Sequence, residues 1–255
     1  EKKDEMYHRI SVAFDQFIDV RLKSDEDIMK ISRELGIDIA IDLMTFTQYH
    51  RFEIFTKRCA PIQINYLGYP GTSGASCFDY IIADKTLIPK KNQKYYSEKI
   101  IYLPDTYQVN DSKRKISDKV FTRKELSLPK DSFVFCCFNQ SSKINPEIFY
   151  IWMNLLKSIN NSVLWILPKN EIAVKNLQKE ATIRNVNPDR IKFAQHMKMS
   201  EHLARHKAAD LFIDTFPYNA HTTASDALWA GLPVLTLMGE SFASRVAGSL
   251  LNALD

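Results

Sequence analysis

Short apolar runs alternate with amphipathic segments along most of this chain, a rhythm that predicts parallel strands covered by helices. In a first block, Asp25 to Leu35 sets Ile28, Ile31 and Leu35 at helical spacing, and Gly36 supplies a C-cap. Ile37 to Met44 reads as a near-continuous apolar strand and Phe52 to Arg58 as a helical stretch. Ile62 to Leu67, Phe78 to Ala83 and Lys99 to Leu103 are predicted as further strands. In a second block, Phe133 to Phe138, Val163 to Leu167, Ile191 to Ala194, Leu211 to Asp214 and Val234 to Leu237 are predicted strands. Helices are expected between them: from Asn145 and Pro146 to Ser158, from Ile172 to Arg184, from a Ser200 cap through Ala208, and up to Ala230. The polar stretch 105–131 joins the blocks. These patterns predict an α/β chain with a first Rossmann-like lobe at 1–111, a connection at 112–131 and a second lobe at 132–255.

Composition narrows the function classes. Lys and Arg total 34 against 30 acidic residues, and a scattered surplus of +4 gives no nucleic-acid surface. The densest basic group, Lys113, Arg114 and Lys115, reads as solvated loop. Four cysteines without CxxC spacing, two of them adjacent in the run Phe133 to Phe138, suggest buried free thiols and a reducing compartment. No apolar stretch approaches ~20 residues, the length of a membrane span. The N-terminal EKKDEMYHRI lacks the apolar core of a signal peptide, so the cytoplasm is the expected location.

The polar residues that follow the second-block strands form a consistent set. Asn139, Gln140, Ser141, Ser142 and Lys143 follow the first; Gln195, His196, Glu201, His202 and Arg205 follow the third. After Asp214 come Asn219, His221, Thr222, Thr223 and Asp226, at the mouth of the helix that stops at Gly231 and Pro233. A helix N-terminus carries unpaired N–H groups and a partial positive charge, which makes this mouth a phosphate cradle. Lys143 fits a cation beside a leaving diphosphate, or an exposed lysine opening a helix. Asp226 fits a ribose contact, or a favourable helix-dipole charge. His202 and His206 have zinc spacing, but HExxH and a third ligand are missing, so a structural or nucleotide-contacting role is the better reading. GxSxG, GxGxxG and the P-loop pattern do not occur. In the first block, Gly68-Tyr-Pro-Gly-Thr-Ser-Gly74 is a tight turn whose backbone can approach a ligand closely.

Taken together, APIQ (60–63), LGYPGTSGA (67–75), YSEK (96–99), FNQSSKINP (138–146), SVLWIL (162–167), NAHTTASDALWAGLPV (219–234) and FASRVAGSLL (242–251) resemble the catalytic region of the protein O-GlcNAc transferase and SPINDLY family. That resemblance implies a GT-B fold, with two Rossmann-like lobes whose parallel sheets face a cleft. It also implies metal-independent, inverting transfer of N-acetylglucosamine from a UDP-sugar donor to Ser or Thr of an acceptor protein, without a cofactor. By the same resemblance, Lys143 and Gln140 contact the diphosphate together with His221, Thr222 and Thr223. Asp226 holds the ribose, His202 and Arg205 lie near the uracil, and Gly68, Pro70, Gly71 and Thr72 border the sugar.

The chain also departs from the family pattern. Members usually carry a helical-repeat array, and no 34-residue period occurs here. Thr45 stands where relatives usually have glycine. The first lobe is expected to be incomplete and the chain to be a fragment whose isolated activity is in doubt. A donor with fucose or glucose, and a non-catalytic nucleotide-sugar binder, are the competing readings. An epimerase on the same architecture would want cleft carboxylates that the sequence does not supply.

Overall fold

In the computed structural model, residues 3–254 are described. Packing divides the chain into two compact units: residues up to Ile81 with Tyr96–Lys99, and Ile82–Tyr95 with the residues from Ile100 onward. The second unit therefore takes up residues 82–95 and 100–111, which the hydrophobic pattern groups with the first block.

The first unit holds α1 (Glu5–Ser11), α2 (Asp25–Glu34), β1 (Ile39–Asp42), α3 (Glu53–Thr56), β2 (Ile62–Asn65) and the start of β3 (Tyr80–Asp84). β1 lies parallel to β2, from Ile39 beside Ile62 to Asp42 beside Asn65, and β2 lies parallel to β3. With β4 (Lys99–Leu103) the sheet order is β1-β2-β3-β4. Ser24 and Asp27 form a reciprocal capping box at the start of α2, and Met29, Phe55, Cys59 and Phe78 make its small core. α1 was not foreseen in the pattern, and the reason is physical: it buries no residue and so leaves no apolar stripe.

The second unit holds β5 (Phe133–Cys137), α4 (Pro146–Ser158), β6 (Ser162–Ile166), α5 (Glu171–Ile183), β7 (Ile191–Phe193), α6 (Met199–Arg205), β8 (Leu211–Ile213), α7 (Thr222–Trp229), β9 (Val234–Leu235) and α8 (Val246–Asn252). Its sheet order is β7-β6-β5-β8-β9, with every neighbouring pair parallel. Strand order reverses between β5 and β8, and in open parallel sheets that reversal opens a crevice at the carboxyl ends of the two strands. Asn145 opens α4 as expected: its Oδ1 accepts from the Ile148 N–H at 2.9 Å, with Pro146 in the first turn. α7 ends as the sequence predicts. Gly231 takes φ +81°, Leu232 N–H reaches the Ala227 carbonyl and Gly231 N–H reaches that of Leu228, a Schellman closure.

Two local expectations, at Ser200 and at Arg114, are corrected. Ser200 is not a cap: α6 starts one residue earlier, with Lys198 at the N-cap and no side-chain bond there. The segment between β4 and β5 forms no helix or strand, yet it is anchored; Tyr107, Leu126 and Leu128 are buried and Arg123 donates to the carbonyls of Ala208 and Ser132 and to Asp210. Arg114, expected in solvent, is largely buried.

Candidate functional site

Asn139 and Asp214 stand at the ends of β5 and β8 and tie the crevice together. Asn139 Nδ2 donates to Asp214 Oδ1 at 3.0 Å and to Thr215 Oγ1 at 2.8 Å. Asp214 also accepts from the backbone of Ala220 and from Thr236 Oγ1, each at 2.7 Å. Burial raises the Asp214 carboxyl, and these hydrogen bonds pull against the rise. The loop from Thr215 to Ala220, with its cis Phe216-Pro217 bond, is thus held at several points before it enters α7.

Lys143 reaches that loop. It ends a 3₁₀ turn (Ser141–Lys143), and its ammonium donates to the Asn219 carbonyl at 2.8 Å and sits 4.1 Å from the centre of the Tyr218 ring. His221 stacks on the same ring, centroids 5.2 Å apart, and its Nε2 lies 3.2 Å from the Ala243 carbonyl. Burial lowers Lys143 to about 8, against the opposing pull of Asp214. His221 is lowered to about 4, first by burial and then by the nearby Lys143 charge, so it is neutral at neutral pH. α7 begins at Thr222 with no side-chain cap and no acidic residue in its first turn, so its positive end faces outward unopposed. Thr222 is exposed there, whereas the Thr223 hydroxyl is committed to Asn139 Oδ1. Gln140 is exposed beside the turn. Tyr218 was absent from the sequence expectations; its only signal was position, in the loop before the helix.

His202 and Arg205 form an interior cluster with His206. Arg205 is fully buried, donates to the Gln195 carbonyl, and faces the rings of Phe138 at 4.5 Å and Trp165 at 5.7 Å. Its Nη2 lies 2.5 Å from His202 Nδ1, and since a guanidinium can only donate, that nitrogen accepts. Burial, followed by the Arg205 charge, lowers His202 to about 3. The structure places Arg205 in the core, where its guanidinium lies against aromatic rings. Among the described residues, no group of three or more His, Cys, Asp or Glu is placed to hold a metal ion.

Asp226 also has a partner that the sequence did not reveal. It is 4% exposed, and its Oδ1 accepts from Arg114 Nη1. Arg114 comes from the segment between the two predicted blocks, so no local spacing could have paired them.

In the first unit, the turn Gly68–Gly74 is built on Glu98. Both Ser73 N–H (2.7 Å) and Ser73 Oγ (2.5 Å) donate to Glu98 Oε1, and Thr72 Oγ1 donates to Oε2 at 2.6 Å. Burial alone would raise the Glu98 carboxyl, but these hydrogen bonds outweigh it and hold it below its ordinary value. Gly68 is required by close approach: a Cβ there would lie 2.1 Å from the Leu43 carbonyl oxygen. Pro70 and Gly71 complete the turn, with the Gly71 carbonyl 3.3 Å from Asn65 Nδ2. Thr45, the departure from the family pattern, adopts φ +48°, a left-handed conformation that β-branched residues rarely take. Its hydroxyl holds Asn65 at 2.7 Å and its N–H reaches Asp42 at 3.1 Å, which fixes the conformation in spite of the strain.

Comparison with known proteins agrees with this picture. Residues 2–119 and 113–255 match glycosyl transferase family 41. A probable UDP-N-acetylglucosamine–peptide N-acetylglucosaminyltransferase SEC of Arabidopsis thaliana is 41% identical over 98% of this chain, which spans 26% of that relative. The corresponding peptide N-acetylglucosaminyltransferase of Caenorhabditis elegans is 28% identical over 88% of this chain, covering 29% of its own length. Among solved structures, a mutant O-GlcNAc transferase of Thermobaculum terrenum superposes with a TM-score of 0.88 at 28% identity, over 99% of this chain and 48% of that one. The chain thus spans about a quarter of the length of these curated relatives. Its parallel α/β units match the GT-B transferase structure, and the resemblance carried by the seven motifs is borne out. On its sequence and its fold alike, the chain belongs to glycosyl transferase family 41.

Proposed function

We propose that the protein containing this chain transfers N-acetylglucosamine from UDP-N-acetylglucosamine to serine or threonine hydroxyls of proteins. The observation that carries the reading is the convergence of Lys143 on the loop that opens α7. An ammonium bonded to the Asn219 carbonyl and an uncapped helix start at Thr222 stand within one short segment of chain. Together they offer two sources of positive potential to one diphosphate. The acceptor oxygen attacks the anomeric carbon with loss of its proton, and the bond from that carbon to the diphosphate oxygen breaks. UDP then departs with the electron pair, and configuration inverts. Lys143 and the helix N-terminus offset the charge that grows on the leaving oxygen, a task that needs no metal and no cofactor. The names of the relatives, which specify UDP-N-acetylglucosamine and a peptide acceptor, support the choice of donor and acceptor. Four free cysteines fit a reducing compartment such as the cytoplasm, and a helical-repeat array in the whole protein would select acceptors.

The test is transfer of labelled sugar from UDP-N-acetylglucosamine to protein by the full-length enzyme and its Lys143→Ala variant. Loss of about 10²-fold or more in the variant is expected for one electrostatic donor at the leaving group. Equal transfer by the two would remove Lys143 from the mechanism.

A further inference from the structure

The loop between β8 and α7 presents one aromatic ring to the lysine and the histidine at its mouth. Lys143 Nζ lies 4.1 Å from the centre of the Tyr218 ring, and the His221 ring stacks on it with 5.2 Å between centroids and planes 26° apart. The backbone beneath the ring is fixed on both sides. Thr215 Oγ1 donates to the Tyr218 carbonyl at 2.7 Å, and Lys143 Nζ donates to the next carbonyl, that of Asn219, at 2.8 Å. Asn145 Nδ2 holds the Phe216 carbonyl at 2.7 Å. The ring therefore has a set place, although Tyr218 is 41% exposed.

How the ammonium is held decides what it can do. A lysine anchored by a carboxylate loses most of its field to that partner. Lys143 has a carbonyl and an aromatic face instead, and among the described residues it forms no ion pair. The oxygens of Asp214, the carboxylate nearest in charge, are committed to Asn139, Ala220, Thr215 and Thr236. A ring face attracts a cation through its quadrupole but carries no net charge, so it restrains the ammonium without cancelling it. An ammonium has three N–H donors, and Asn219 takes one of those on Lys143, which is itself still partly exposed. Charge and donors both remain for an incoming anion.

We propose that Tyr218 is a positioning residue for sugar transfer: its ring holds the Lys143 ammonium at the mouth of α7, so that lysine and helix start act on one diphosphate. This rests on the role given to Lys143 above and extends it to a residue that touches the lysine and not the reacting atoms. Without the ring, the flexible lysine stem is free to swing into solvent, and the charge is no longer in place when the leaving oxygen needs it.

The test is labelled-sugar transfer from UDP-N-acetylglucosamine by the full-length protein, with kcat and KM measured separately. Tyr218→Leu keeps an apolar side chain and removes the quadrupole; kcat is expected to fall about ten-fold, the scale of a partly desolvated cation–π contact, while KM changes by less than about two-fold. Tyr218→Phe keeps the ring and should recover most of that loss. Pentafluorophenylalanine at position 218 keeps the ring shape but not its negative face; it should behave like leucine, and it decides the matter if the leucine variant does not fold. In a Lys143→Ala background, Tyr218→Leu should add less than about two-fold, because the ring acts through the lysine. A full further loss in that background would make Tyr218 a support for the loop alone and overturn the proposal. Wild-type kcat in the leucine and pentafluoro variants would overturn it too, as would a phenylalanine variant as slow as leucine. Wild-type transfer by Lys143→Ala alone would instead overturn the role of Lys143, and this inference with it.

Discussion

Lys143 holds its proton in a half-buried place, and its value of about 8 makes ligand binding sensitive to alkaline pH. The ammonium exists below that value and is lost above it. UDP affinity is therefore expected to fall as pH rises through about 8, and this limb should be missing from the Lys143→Ala titration, measured by calorimetry. The unfolded chain keeps the same proton up to 10.5, so the cost this group imposes on the folded state below about 8 is relieved as pH rises from about 8 to 10.5. His202 works at the acid end. Its folded value of about 3 lies far below 6.5, so the unfolded state takes a proton first and stability is lost as pH falls below 6.5 towards 3. Protonation would also place an N–H against Arg205, which has only donors to offer. Urea midpoints at pH 7 and pH 5 should differ less in His202→Gln than in wild type; an equal difference would mean that other groups govern the acid limb.

At the scale of elements, loops rather than helices carry the strict requirements. The turn after β2 is folded around one carboxylate, Glu98, and passes so close to Leu43 that no side chain fits at position 68. Gly68→Ala is expected to destabilise the first unit by about 1–3 kcal/mol or more, the range for overpacking a tight site. Thermal denaturation followed by tryptophan-free probes of that unit, such as a reporter on Cys77, would show it. An unchanged midpoint would mean that the β1 end at Leu43 can move aside. The start of α4 is a second such point. Asn145 both caps the helix at Ile148 and donates to the Phe216 carbonyl at 2.7 Å, so it links α4 to the loop before α7. Periodicity alone located the helix and its cap, because both lie within one turn of sequence. The bond to Phe216 has no local signature.

Across the whole molecule, burial separates the four thiols. Cys136 and Cys137 are fully enclosed in the central strand β5, and burial pushes Cys137 to about 12 and Cys136 well above its ordinary value. Cys77 is only half-buried, in the first unit, and burial raises it less. Alkylation of the native protein is therefore expected to reach Cys77 first, and Cys136 and Cys137 only when the second sheet opens; mass spectrometry of labelled peptides across a denaturant series would show the order. Labelling of the adjacent pair in native buffer would contradict the enclosed strand. The same strand shows where sequence suffices. A short apolar run bounded by turn residues reads as a buried strand, so β5 to β8, the helices between them and the parallel class were legible in the patterning, as was Lys143 before α4. Motif resemblance reaches the family. Other features needed the folded chain: Arg114 on Asp226, Arg205 turned into the aromatic core, Tyr218 between Lys143 and His221, and Glu98 under the glycine turn. Each joins residues from separate elements, and the charge of each is paired or desolvated only after packing. Hydrophobic periodicity is local and survives in the sequence, whereas the partner of a buried polar group is chosen by the tertiary fold.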